Sequence, residues 1–205
     1  MIYIDIDNVV RDICKPIFGE YPEKWDAKTK EGLSIVDYIK KNPAEIYLNA
    51  PPTEYDKTIM DFYAHHSEYV FFISTLVLFN GNQNILTNNW FVKNYNLIPE
   101  IIWIINPQDK LKFLLEGNLI DDYPYEEAEW DDRIYIIDRP YNRHIKAKNR
   151  IENDNQLKKV LNKLLLKDNP EFLEINKRDE EAYWDLEDYK REAKKKIGEE
   201  IENER

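Results

Sequence analysis

Two carboxylates two positions apart, Asp5 and Asp7, end a short apolar run that begins at Ile2. Such a run reads as a buried strand, and alternation along it sends both side chains to one side. In open α/β folds, ligands bind at the carboxyl ends of the strands. Two like charges held this close repel unless a cation, a shared proton or a donor network offsets them. A hard divalent metal is the simplest of these answers.

Three further clusters fall near the ends or starts of predicted elements: Ser74 with Thr75, Lys110, and Asp121 with Asp122. Taken singly, each has an ordinary reading, as a turn residue, a helix cap or a solvated lysine. Taken together, they fill every role in phosphoryl transfer. One carboxylate attacks phosphorus, giving an aspartyl-phosphate that water then hydrolyses. A second acts as acid toward the leaving oxygen and afterwards as base toward water. A hydroxyl and a lysine hold the transferring oxygens. The Asp121/Asp122 pair completes an all-oxygen Mg²⁺ site with Asp5 and the Asp7 carbonyl.

The elements that must position these groups follow from hydrophobic pattern. Strands are predicted over residues 2–6, 70–74, 101–105, 118–120 and 134–137, mostly without polar alternation, as strands covered on both faces should be. Helical spacing occupies residues 54–65, 84–95, 109–115 and 156–166. The alternation predicts an α/β fold, a Rossmann-like parallel sheet flanked by helices, with right-handed crossovers. About sixty residues separate the first two strands, far more than the dozen or so a crossover needs. Residues 14–48 are therefore read as a small helical cap inserted into a core of residues 1–13 and 49–167. Its aromatics, Phe18, Tyr21 and Trp25, either stack on a ligand or form the cap's own core. Residues 168–205 carry fourteen acidic and eight basic side chains with a thin apolar stripe, and are read as a charged, solvated helical extension. A homodimer through that helix is the weaker reading.

Composition narrows the choice of partner. The chain has 205 residues, 42% of them hydrophobic and 13% aromatic, enough for one full core and a small lobe. A net charge of −11 disfavours polymeric nucleic acid, but a metal and a few lysines reverse the field locally for a small anion. Five glycines and no Walker-type or GxGxxG motif argue against a glycine-rich phosphate loop. The lone Cys14 excludes an internal disulfide. With no apolar run of membrane-spanning length and no signal segment, a cytoplasmic protein is expected.

The order of these motifs resembles the haloacid dehalogenase-like hydrolases, and within them the cytosolic and mitochondrial 5′(3′)-deoxyribonucleotidases and their bacterial and phage relatives. Residues 5–12, DIDNVVRD, resemble that family's DMDGVLAD. Phe72-Ile73-Ser74-Thr75 resembles its strand ending in CTS. Asp109-Lys110 followed by LIDDYP at 119–124 resembles its DK…LIDDxP, and Arg139-Pro140-Tyr141-Asn142-Arg143 its PYN segment. The likeness covers about residues 1–150. It implies Mg²⁺-dependent removal of phosphate from nucleoside monophosphates, with Asp5 as nucleophile and metal ligand and Asp7 as acid and base. Thr75, Ser74 and Lys110 would bind phosphate, with Phe18 and Arg143 as further substrate contacts. Asp121 and Asp122 would serve the metal, either one as the direct ligand. The chain departs from the pattern at Asn8, which replaces a glycine, and at Leu76-Val77, which replace Ser-Pro. It also departs at Thr87-Asn88, where Glu-Lys is usual, and at Ile13, often an aromatic. Alternatives are a phosphatase for a sugar phosphate or a nucleic-acid terminal phosphate, or a member that binds phosphate without catalysis. A receiver domain also clusters Asp, Thr and Lys, but its acceptor Asp lies on a later strand than its acidic pair.

Overall fold

Six strands form one parallel sheet in the order β3-β2-β1-β4-β5-β6. They are β1 (Ile2–Asp5), β2 (Val70–Thr75), β3 (Ile101–Ile104), β4 (Asn118–Asp121), β5 (Ile134–Ile137) and β6 (Asn149–Ile151). The structure, a computed structural model, describes residues 1–78 and 81–168. The topology is the expected Rossmann-like one. The chain runs from β1 outward to β3 and returns to the other side of β1 with β4, so the direction of winding reverses at β1.

Strand β6 is not legible in the sequence. Two of its three residues, Asn149 and Arg150, are polar, and only Ile151 enters the core. As the edge strand it pairs on one side alone, with β5, and so needs no apolar run.

Helices α1 (Cys14–Phe18), α2 (Ile35–Lys41), α3 (Pro43–Tyr47) and α4 (Asp56–His66) lie between β1 and β2. Helix α5 (Asn82–Tyr95) joins β2 to β3, and α6 (Asp154–Asp168) follows β6. The segment expected to be helical near residue 109 is a 3₁₀ helix, Pro107–Leu115. Nine residues in this tighter winding rise about 18 Å, against about 14 Å as an α-helix, which suits a short return from β3 to β4.

The strands are covered on both faces, as their unbroken apolar character requires. Ile2, Ile4 and Phe72 pack with Ile59 of α4, Trp90 and Phe91 of α5, and Leu157 and Leu161 of α6. Tyr3, Ile73, Leu119 and Ile136 face the opposite way, against Leu114, Tyr125 and Ala128. Each fully buried aliphatic or aromatic side chain contributes about 1.5–3 kcal/mol, which is what holds the strand ends, and the polar groups on them, in fixed register. Ile39, Ile46 and Tyr47 of the insert form a small cluster with Ile13 and Leu78.

Residues Met1–Leu164 form one compact unit that includes the insert, and a second unit begins at Leu165. From residue 169 on, the charged extension lies outside the described residues. No helix among the described residues is long and apolar enough to cross a membrane.

Candidate functional site

Register brings the acidic groups together. Ile4 pairs with Phe72 of β2 and Ile120 of β4, so Asp5 and Asp121 occupy the next level of two adjacent strands. Ser74 and Thr75 extend β2 one and two residues past Ile73, the partner of Asp5. Parallel pairing places all these ends on the same edge of the sheet, at the point where the winding reverses.

Beyond Asp5 the chain turns sharply. Val10 and Arg11 both donate their N–H to the Ile6 carbonyl, at 2.9 Å each, and Asn8 N–H donates to the Arg11 carbonyl at 2.6 Å. Asn8 sits at φ 61°, in the left-handed region that Asn tolerates better than most side chains. Asn8 thus keeps the turn, and its side chain adds two bonds that a glycine would lack. Nδ2 donates to Asp122 Oδ2 at 3.2 Å, and Oδ1 accepts from Cys14 N–H at 3.3 Å. The Asn8 carbonyl accepts from Arg139 Nε at 3.2 Å and Nη2 at 2.7 Å.

Asp5, Asp121 and Asp122 each offer a carboxylate oxygen, all three within 4.8 Å of one another and all buried. Lys110 offsets two of them, its Nζ lying 2.8 Å from Asp5 Oδ1 and 2.7 Å from Asp121 Oδ2. Burial pushes Asp5 well above the usual carboxylate range, against the pull of Lys110. Burial, aided by Asp121, pushes Asp122 up to about 7. Burial favours neutral Lys110, but Asp121 and Asp5 outweigh it and hold the ammonium above the ordinary lysine value. The cluster is short of positive charge, and a divalent cation would relieve it.

The paired aspartates differ in what they face. Asp121 is fully buried with both oxygens occupied, by the Tyr123 N–H at 2.9 Å, Lys110, and the Tyr125 hydroxyl at 2.9 Å. Asp122 borders a cavity of about 360 Å³ and is braced from behind by Asn8 and the Tyr141 hydroxyl. Asn142 Nδ2 holds the Asp122 carbonyl at 2.8 Å. The Pro140-Tyr141-Asn142 segment is therefore the brace of the acidic cluster.

Asp5, Asp7, Thr75, Lys110 and Asp122 line the floor of that cavity. Ile13, Ile35, Ile39, Leu76 and Val77 form apolar walls, with Trp25 and Tyr123 beside them. Trp25 meets the Tyr123 and Tyr141 rings edge-on, with centroids 5.3 and 5.0 Å away. Of the two hydroxyls on β2, Thr75 faces the cavity; Ser74 is wholly buried and its Oγ lies 3.5 Å from Asp7 Oδ2.

Two expected substrate contacts lie elsewhere. Phe18, the last residue of α1, is half-buried and does not line the cavity. Arg143 does not line it either, because its guanidinium turns to Asp138, 2.8 Å away, and is largely exposed.

Sequence reasoning assigned no role to Arg11, which is completely buried and donates to Asp7 Oδ1 through Nε at 2.9 Å and Nη2 at 2.6 Å. The available signal was a charged residue directly after Val9-Val10 and four positions from Asp7. The Thr87 hydroxyl accepts from Arg11 Nη1 at 3.2 Å, so α5 serves that arginine.

Comparison of the chain with models of known protein families gives no match, and neither does comparison with curated proteins.

Proposed function

We propose that this protein is a Mg²⁺-dependent phosphomonoesterase of the haloacid dehalogenase-like type that removes phosphate from nucleoside monophosphates. The observation that carries this reading is the buried Asp5/Asp121/Asp122 cluster around Lys110, opening onto a cavity that also holds Asp7 and Thr75. An all-oxygen donor set suits a hard cation. Asp5, Asp122 and the Asp7 carbonyl would hold Mg²⁺, which supplies charge neutralisation at the phosphoryl group. Asp121, whose oxygens are already engaged, supports Lys110 instead.

Asp5 attacks phosphorus as the bond to the ester oxygen breaks, and Asp7 delivers a proton to that oxygen. Asp7 then takes a proton from water, whose oxygen bonds to phosphorus as the bond to Asp5 breaks. Lys110 and the Thr75 hydroxyl hold the equatorial oxygens. The apolar walls and the Trp25 and Tyr123 rings favour an aromatic base over a bare sugar phosphate. Release of inorganic phosphate, measured over ribo- and deoxyribonucleoside monophosphates and simple sugar phosphates with Mg²⁺, tests the reading. Turnover of nucleotides above sugar phosphates is expected; no phosphate release from any substrate overturns it.

A further inference from the structure

We propose that Arg11 is a positioning residue for Asp7: it fixes which oxygen of that carboxylate exchanges the catalytic proton. The inference rests on the acid–base role given to Asp7 above. It deepens that reading by naming the group that aims the carboxylate.

A buried guanidinium needs partners for its charge and its five N–H bonds. Arg11 has them on three elements. Nε and Nη2 both converge on Asp7 Oδ1. Nη1 donates to the Tyr47 carbonyl of α3 at 2.9 Å and to Thr87 of α5. The guanidinium carbon lies 4.8 Å from the centre of the Tyr47 ring and 5.5 Å from that of Trp90, so aromatic faces pack against it. The guanidinium is thus held by Asp7, by the insert and by α5.

Its carboxylate partner is different in kind. The Asp7 side chain keeps 18% of its surface exposed and borders the cavity, while that of Arg11 is fully enclosed. A pair formed only to hold the fold together would have no reason to place one member at the cavity floor. Both guanidinium bonds fall on the same oxygen, Oδ1. That leaves Oδ2, which accepts from Ser74 Oγ at the long distance of 3.5 Å. A carboxyl gripped at one oxygen by a rigid cation presents the other oxygen, and with it the proton, in one direction. Proton delivery depends on hydrogen-bond reach to the leaving oxygen, and small displacements there have large effects on rate.

This predicts a signature that loss of fold stability does not produce. Leaving groups that depart readily as anions need little help from a proton; alkoxides need it fully. The test measures kcat/KM with Mg²⁺ for a series of aryl and alkyl phosphate monoesters, from p-nitrophenyl phosphate to a nucleoside 5′-monophosphate. It uses wild type, Arg11→Met, Asp7→Asn and the double variant. In Arg11→Met, the nucleotide reaction is expected to fall about 100-fold, within the range general acid catalysis supplies, and p-nitrophenyl phosphate less than about 10-fold. The plot of log kcat/KM against leaving-group pKa therefore steepens. Asp7→Asn steepens it likewise, and adding Arg11→Met to Asp7→Asn steepens it no further, because the two act as one unit.

An equal loss on every leaving group, or a further change in slope in the double variant, overturns the proposal. If Arg11→Met does not fold, Arg11→Lys keeps the charge without the forked geometry and must still steepen the plot; a wild-type plot from that variant overturns the proposal too. A wild type that hydrolyses nothing in the series refutes the phosphatase reading itself. A wild type that is active beside variants of unchanged slope refutes only the role of Arg11.

Discussion

Lys110 Nζ lies 2.8 Å from Asp5 Oδ1 with both side chains closed off from solvent. The ammonium pairs with two of the three clustered carboxylates, Asp5 and Asp121, and it comes from a 3₁₀ segment that the chain places between β3 and β4. Removing one partner of a buried pair typically costs about 3–5 kcal/mol, because the other charge is left uncompensated. Lys110→Met should lose stability on that scale in metal-free buffer, and millimolar Mg²⁺ should restore part of it. Urea melts with and without Mg²⁺ check both halves.

Asp5→Asn should separate activity from stability. The substitution removes one of three crowded carboxylates whose ionisation burial already opposes. Phosphate release should fall to background, while the thermal midpoint in metal-free buffer stays at or above that of wild type. Residual turnover above about 1% of wild type would remove Asp5 from the role of nucleophile, since no other group replaces a covalent attacker.

The acidic cluster also sets a pH dependence. A carboxyl whose folded pKa lies above its unfolded value binds more protons in the native state, so its contribution to stability is present at low pH and lost as pH rises. For Asp122 the window runs from about 4, the ordinary carboxylate value, to about 7. Asp5 shifts in the same direction. The metal-free protein should lose stability through that window at fixed ionic strength. Added Mg²⁺ should raise the melting temperature by more at pH 8 than at pH 5, because it competes with those protons. Ca²⁺ should bind but support turnover poorly, its coordination being larger and less rigid.

Asn8 offers a test of the turn that carries Asp7. At φ 61°, Asn8→Ala pays a left-handed backbone penalty of about 1–2 kcal/mol and loses the bonds to Asp122 and Cys14. Asn8→Gly loses the same bonds without that penalty. Chemical denaturation should therefore rank wild type above Asn8→Gly and Asn8→Gly above Asn8→Ala.

The sequence shows most of this site because strand ends and carboxylates leave strong local signals. Asp5, Asp7, Thr75, Lys110 and Asp122 all line one cavity. What it hides depends on long-range packing. Arg11 is a charge inside an apolar stretch, and only the placement of Tyr47 and Trp90 shows why it is tolerated. Tyr141 and Asn142 sit in a segment that stands out in the sequence, yet their contacts with Asp122 cross nineteen and twenty residues. Arg143 looks like a ligand contact by type and position, but Asp138, five residues before it, is nearer. Strand β6 escapes because an edge strand with one apolar residue carries no periodic signal.

The proposed mechanism turns on a covalent bond between Asp5 and phosphorus. Acid quench of the protein in Mg²⁺ after mixing with a ³²P-labelled nucleoside monophosphate, followed by peptide mapping, reads that bond directly. Label on the peptide containing Asp5, absent from the Asp5→Asn protein, is the expected result. Steady phosphate release with no label on that peptide would contradict it.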